Sequence, residues 1–408
     1  MSKIRVLSDH LANQIAAGEV VERPASVLKE LLENALDAGA DRISIQVEGG
    51  GTRLIRVADN GVGMDQDDVL LSLERHATSK LTEESQLVAI TTLGFRGEAL
   101  PSIGAVSRMS ILSRTRTAEI GTRAEMRYGT LHDLHDDGCA GGTVIEVCNL
   151  FGNLPALKKF LKTKRTELFH IEEVIRNQAL AYPDIAFFLQ VDGRKTITLA
   201  ATAQEQRIRD VFRYSGKMLD ITSSRKPDTL RVKGSVLLPD AGSSAARLRI
   251  LVNNRPVQDR MIRYAVIDGL KGLLMKRQQP AGALLLELDS QELDINVHPA
   301  KREIRFRKPD ELRRFLVHAL SEAVLRYQEE MRSELFIPEA DQDRRGESPC
   351  SPSPAGQAQE PAPATSAASS SLSSRYLTTS EQQTEPRIYS AEPLPFSFLP
   401  SVPAVEVG

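Results

Sequence analysis

Glu30, Asn34 and Asp37 recur at i, i+4 and i+7 within residues 28–40, Leu-Lys-Glu-Leu-Leu-Glu-Asn-Ala-Leu-Asp-Ala-Gly-Ala. At about 100° per residue, a helix gathers them into a stripe about 60° wide. A carboxylate one turn from a carboxamide can act as a general base beside a metal ligand. The same spacing describes the wet face of any amphipathic helix, and taken alone this segment reads as such a face. Val27, Leu28, Leu31, Leu32, Ala35 and Leu36 fill the opposite arc and are expected in a core. Gly39 is suited to the left-handed turn that closes such a helix.

Other stretches offer chemistry of their own. Asp59-Asn-Gly-Val-Gly63 places an acidic residue at the end of a predicted strand, followed by Gly61 and Gly63, which let a ligand approach the backbone closely. Read alone it is equally an ordinary turn. Gly94 and Gly97, around Phe95 and Arg96, expose N–H groups of the kind that cradle phosphate oxygens. The chain contains neither a Walker A loop nor a GxGxxG fingerprint. His132, His135 and Cys139 form a possible metal cluster, but without the fourth ligand that a structural zinc site needs.

Positioning these groups requires a mixed α/β framework. Alternation predicts strands at 42–47 and 54–58 joined by Gly49-Gly-Gly51, then strands at 106–113, 121–128 and 141–147, the last carrying Thr143 near its start. Helices are expected at 65–75 and 166–181, and a strand at 185–191. A polar stretch near 200–206 is the expected boundary. Beyond it come strands at 229–238, 247–253, 282–288 and 293–297, and helices at 259–277 and 310–332.

The 408 residues suffice for two or three domains. Net charge is −7 over residues 1–150, +10 over 151–336 and −5 over 337–408, so a polyanion is expected to meet the middle of the chain. Three cysteines without paired or metal-type spacing indicate no disulfide framework. With no signal-peptide core and no membrane-length apolar run, the expectation is a soluble cytoplasmic protein, with no membrane partner. From Pro338 onward Pro, Ser, Ala and Gln dominate, which predicts a disordered linker and suggests that a further domain follows.

The order of Glu30/Asn34/Asp37, Asp59-x-Gly-x-Gly, the 94–100 segment and Gly142-Thr143 resembles the Bergerat-type (GHKL) ATPases. Three longer strings resemble signatures of the MutL mismatch-repair family: Ile15-Ala-Ala-Gly-Glu-Val-Val-Glu-Arg-Pro through Asp37-Ala-Gly-Ala, Arg75-His-Ala-Thr-Ser-Lys, and Gly94-Phe-Arg-Gly-Glu-Ala-Leu. The resemblance covers roughly residues 3–335. It implies a Bergerat-type α/β sandwich with a mixed sheet at 1–205, a smaller basic α/β domain like the second domain of gyrase B at 206–335, and a disordered linker at 336–408.

Residue by residue, the resemblance implies that Glu30 is the general base, Asn34 a ligand of Mg²⁺, and Asp59 the acceptor for the adenine amino group. Thr143 lies beside Asp59, and Gly61 and Gly63 leave room for the base. Asp37 counts among the ATP-binding residues. Thr78, Ser79 and Lys80 with the backbone of Gly94, Phe95, Arg96 and Gly97 would form a lid over the phosphates, and Lys301 would reach the γ-phosphate.

Ordering about 20 lid residues costs roughly 20–40 kcal/mol of backbone entropy. Charge-assisted hydrogen bonds return only about 1.5–3 kcal/mol each. The lid is therefore expected to be preformed or to gain packing from ATP-dependent homodimerisation, with residues 1–20 as the exchanged arm. The implied activity is ATP hydrolysis by a DNA clamp that couples a mismatch-recognition protein to downstream repair factors, with Arg260 and Arg263 on DNA. No nuclease motif is present. The competing readings are a gyrase-type topoisomerase subunit and an ATP-binding scaffold without useful turnover. Gly152 and Leu157 depart from the family's usual aromatic and arginine, so that loop receives no role.

Overall fold

The computed structural model describes residues 21–74, 97–225, 230–238, 248–274, 278–289, 292–294 and 305–335. The expected arm at 1–20, Thr78, Ser79, Lys80, Gly94, Phe95, Arg96, Lys301 and everything beyond 335 lie outside them.

Helix α1 (Pro24–Asp37) begins at a proline, whose fixed φ suits a first helical turn and whose missing N–H would have been unpaired there anyway. It buries Val27, Leu28, Leu31, Leu32 and Ala35, and Gly39 closes it at φ 70°. Strand β1 (Arg42–Glu48) turns Ile43, Ile45 and Val47 into the core, as alternation requires. A single 3-10 turn over Gly49–Gly51, all at positive φ, returns the chain antiparallel as β2 (Leu54–Asp59).

There follow α2 (Gln66–Ser72), α3 (Ala99–Ala105), β3 (Arg108–Arg114), β4 (Gly121–Arg127), β5 (Thr130–Asp137), β6 (Gly142–Cys148), α4 (Pro155–Phe160), α5 (Lys164–Ala181), β7 (Ala186–Val191), β8 (Arg194–Leu199) and α6 (Gln204–Phe212). The first sheet has the order β5-β4-β3-β6-β2-β1-β7-β8. It is mixed, with β1 and β7 parallel and the other neighbours antiparallel. Helix α1 packs on α5, and both bury their apolar stripes in one core with the sheet.

A second sheet comprises β9 (Met218–Arg225), β10 (Leu230–Leu237), β11 (Leu248–Val252), β12 (Arg255–Val257) and β13 (Gly282–Leu288), in the order β12-β11-β13-β10-β9. Helix α7 (Arg260–Gly269) and the long α8 (Pro309–Leu335) pack together over it. Helix α7 stops well short of the expected 277. A short ladder pairs β14 (Leu293–Asp294) with β15 (Arg305–Phe306).

Helix α6 joins the layers: Ile208 and Val211 share the larger core with Leu251 and Ala283 of the second sheet. Arg207, fully buried, donates from Nη2 to the carbonyls of Pro183, Ile185 and Ala200 at 2.6–2.8 Å. Burial pushes its pKa down. Arg249 on β11 bridges in the other direction, donating to Asn177 Oδ1 at 2.5 Å and Glu173 Oε1 at 2.6 Å on α5.

Candidate functional site

The site is built where β2 ends beside the start of β6. Asp59, last in β2, stands opposite Thr143 in β6. The Gly61 N–H donates to Asp59 Oδ1 at 2.9 Å. Burial pushes the Asp59 carboxyl up to about 6, against the lowering effect of hydrogen bonds from the Gly61 and Thr143 backbones. A carboxyl so placed is a fixed acceptor in a low-dielectric setting.

The two glycines have separate steric tasks. A Cβ on Gly61 would lie 2.7 Å from the Ala38 carbonyl oxygen, and one on Gly63, at φ 74°, would collide with the Arg114 carbonyl. This closeness lets the Val62 N–H donate to Ala38 O at 3.0 Å, tying the Asp59 loop to the end of α1. Asn60 fastens the loop from its other side: its Oδ1 accepts from Asp41 N and Arg42 N, and its Nδ2 donates to Asp41 Oδ1 at 2.7 Å.

Helix α1 carries the remaining groups away from this corner. Asn34 O accepts from Ala38 N at 2.9 Å. Glu30 lies two turns before Ala38, about 12 Å back along the axis. Its carboxylate is partly exposed, 3.7 Å from Lys29 Nζ. Glu33 is the buried carboxylate, 3.5 Å from the same lysine. Together with Asp37, it adds to the upward shift of the Tyr182 phenol, which burial dominates.

Ser113 on β3 carried no signal in the sequence, being one of two serines in a strand of mixed composition. It is fully buried and its Oγ accepts from Met64 N at 2.8 Å. The same oxygen lies 2.9 Å from Thr143 Oγ1 and 3.2 Å from Gly142 O. It thus braces both the glycine loop and the threonine.

Gly97, at φ 61°, directly precedes Glu98 and α3. Arg260 and Arg263 are exposed on α7, over the second sheet and apart from this corner. His132 and His135 fall on β5, where His135 faces Asp133 at 3.1 Å. Among the described residues no group of three His, Cys, Asp or Glu side chains is placed to hold a metal.

Two family models match the chain. One, described as histidine kinase-, DNA gyrase B- and HSP90-like ATPase, covers residues 22–133. The other, DNA mismatch repair protein C-terminal domain, covers 210–325. The MutL protein of Opitutus terrae is 42% identical over 360 residues, 88% of this chain and 57% of that protein. That of Syntrophotalea carbinolica is 46% identical over 327 residues, 78% and 51%. The chain belongs to the MutL family.

It spans about half the length of these MutL relatives. Among solved structures, the amino-terminal domain of a DNA repair protein matches at TM-score 0.65 and 27% identity, over 80% of this chain and all of that one. The Aquifex aeolicus MutL ATPase domain complexed with ADP matches at TM-score 0.52 and 25% identity, over 73% and 98%. The fold is accordingly a GHKL-type α/β sandwich followed by a second α/β unit.

The two departures from the MutL pattern have local explanations. A Cβ on Gly152 would collide with the Tyr128 hydroxyl, which accepts from Asn149 Nδ2 at 2.7 Å; an aromatic ring from a neighbouring turn already occupies that space. Leu157 is half-buried and packs its side chain against the core.

Proposed function

We propose that this chain is the ATP-hydrolysing portion of a MutL-type mismatch-repair protein, a DNA clamp gated by ATP. The observation that carries the reading is the half-buried Asp59, fixed by the Gly61 N–H, faced by Thr143 and tied through Val62 and Ala38 to the helix bearing Asn34 and Glu30.

Asp59 accepts from the adenine amino group, a preference a carboxylate expresses because it offers acceptors only. Helix α1 then runs from the adenine end toward the phosphates. Glu30 takes the proton of the attacking water, a role typically worth about 10²–10⁴-fold. Its partial exposure leaves it accessible to that water. The oxygen donor of Asn34 suits Mg²⁺, which takes one or two protein oxygens and otherwise phosphates and water; the ion would neutralise phosphate charge. Asp37 supports the same end of the helix. Thr78, Ser79, Lys80, Gly94, Phe95, Arg96 and Gly97 cover the phosphates, and Lys301 reads the γ-phosphate.

In this reading residues 1–205 are the ATPase unit, 206–335 the transducing unit and 336–408 a linker. Residues 1–20 exchange between two copies when ATP is bound. Arg260 and Arg263 contact DNA, and a mismatch-recognition protein and downstream repair factors are the protein partners. The setting is cytoplasmic; among the described residues no helix is long and apolar enough to cross a membrane. Phosphate release and nucleotide binding by wild type and Glu30→Ala test the assignment: turnover should fall at least about 100-fold while binding persists. Equal turnover would remove Glu30 from the mechanism, and nucleotide binding by wild type without phosphate release would favour a binding scaffold.

A further inference from the structure

The proposed reaction brings together two parts of the chain: helix α1, which carries Glu30 and Asn34, and the stretch beyond β13, which carries Lys301. They belong to different sheets, so one must be fixed against the other. Tyr182 stands where the two sheets meet.

Tyr182 follows directly on α5, its N–H donating to Gln178 O at 2.9 Å. The backbone beside it is pinned: Ile185 N donates to Tyr182 O at 3.3 Å, and the buried Arg207 donates to the Pro183 carbonyl. The Tyr182 side chain packs on the larger core, which also holds α1. Its hydroxyl meets the turn between β11 and β12, where the Asn254 side chain hydrogen-bonds it. Burial raises the phenol's pKa, and the Asp37 and Glu33 carboxylates of α1 raise it further, which places both near the hydroxyl. One half-buried side chain thus faces α1 on one side and the second sheet on the other.

The turn is shaped to hold that contact. Asn253 and Asn254 adopt left-handed φ values of 47° and 63°, which asparagine tolerates better than most residues. The Asn253 side chain closes on β13: its Nδ2 donates to Leu288 O at 2.8 Å and its Oδ1 accepts from Leu288 N at 2.9 Å. Leu288 ends β13, and Lys301 lies further along the same stretch of chain. Adjacent asparagines therefore join Tyr182 to the root of the Lys301 segment. Arg249 ties β11 to α5 separately, through Asn177 and Glu173, so the junction does not depend on the phenol to exist. Packing alone would be served by phenylalanine, whereas the contact with Asn254 needs the hydroxyl.

We propose that Tyr182 is a positioning residue for ATP turnover, a strut that sets α1 against the β11–β12 turn so that Glu30 and Lys301 converge on one γ-phosphate. This rests on the ATPase reading; Tyr182 acts through α1 and the turn, not on the nucleotide.

Tyr182→Phe keeps the ring and removes the hydroxyl, and Asn254→Gly removes the side chain at a φ that glycine adopts freely. Each should lower the kcat of the full chain about 2–10-fold, the range one hydrogen bond spans, with KM for ATP and ADP affinity within about twofold of wild type. The double variant should fall no further than either single one, since both remove the same contact. Urea midpoints report the fold of each variant.

Unchanged kcat in Tyr182→Phe, or fully multiplicative losses in the double variant, would overturn the strut and leave the ATPase reading standing. A loss of ADP affinity matching the loss of kcat would make Tyr182 a packing residue and overturn it equally. A wild type that binds ADP yet releases no phosphate from ATP would overturn the ATPase reading and the strut with it.

Discussion

Asp59 and Thr143 face each other across β2 and β6, and the Gly61 N–H fixes the aspartate 2.9 Å away. The pair sits where burial makes a carboxylate costly, so its ionisation is coupled to folding. The Asp59 pKa is near 6 in the fold against an ordinary 3.8. Folding therefore favours the protonated form. That contribution is full below about pH 3.8 and is lost as pH rises through 6. Asp59→Asn, neutral throughout, should be more stable than wild type at pH 8 by up to about 3 kcal/mol. The gap should shrink by about half at pH 5. Urea unfolding at the two pH values measures it, and an equal gap at both would contradict the assigned burial.

Ser113→Ala removes the acceptor of Met64 N and the partner of Thr143 Oγ1. Leaving these groups unsatisfied should cost about 1–3 kcal/mol. Because the lost bonds lie on both sides of the site, ADP binding should weaken as well. Unfolding midpoints together with calorimetric titration check this, and unchanged ADP affinity would confine Ser113 to a packing role.

Gly142, at φ 119°, leaves no space between β6 and the Asp59 carbonyl. Gly142→Ala should therefore destabilise by at least about 1–3 kcal/mol through strain alone. Gly39→Ala meets open space at its own positive φ and should show only the backbone penalty, about 1–2 kcal/mol. Comparing their thermal midpoints separates collision from conformation.

Arg249 and Glu173 couple the second sheet to α5, which packs on α1. Arg249→Ala should destabilise by roughly 1.5–3 kcal/mol, the usual value for hydrogen bonds to charged groups. Arg176, 3.8 Å from Glu173, remains as a weaker partner. The Arg249→Ala/Glu173→Gln double variant should lose less than the two single losses combined. Strict additivity in a double-mutant cycle would show that the pair is not coupled.

The parts of the fold legible in sequence were those with strong periodicity. Helix α1, β1, β2 and β6 announced themselves through apolar spacing and glycine turns, and they carry Glu30, Asn34, Asp59 and Thr143. Strand β5 did not, because it is a sheet edge with almost every residue exposed and hence no alternation to read. Helix α6 was hidden in a polar stretch, since only Ile208 and Val211 are its apolar anchors and the third buried group is an arginine held by three carbonyls. Ser113 depends on contacts with residues 30 and 49 positions away, which no local pattern encodes.

The central claim is that Asp59 reads adenine in a pocket closed by Thr143. Calorimetric titration of wild type and Asp59→Asn with ADP and GDP tests it most directly. Wild type should bind ADP and discriminate against GDP, with ADP affinity falling as pH drops through 6. Asp59→Asn should bind ADP more weakly, with less discrimination and without that pH dependence. Equal affinity of wild type for ADP and GDP, or undiminished ADP binding by Asp59→Asn, would contradict the account.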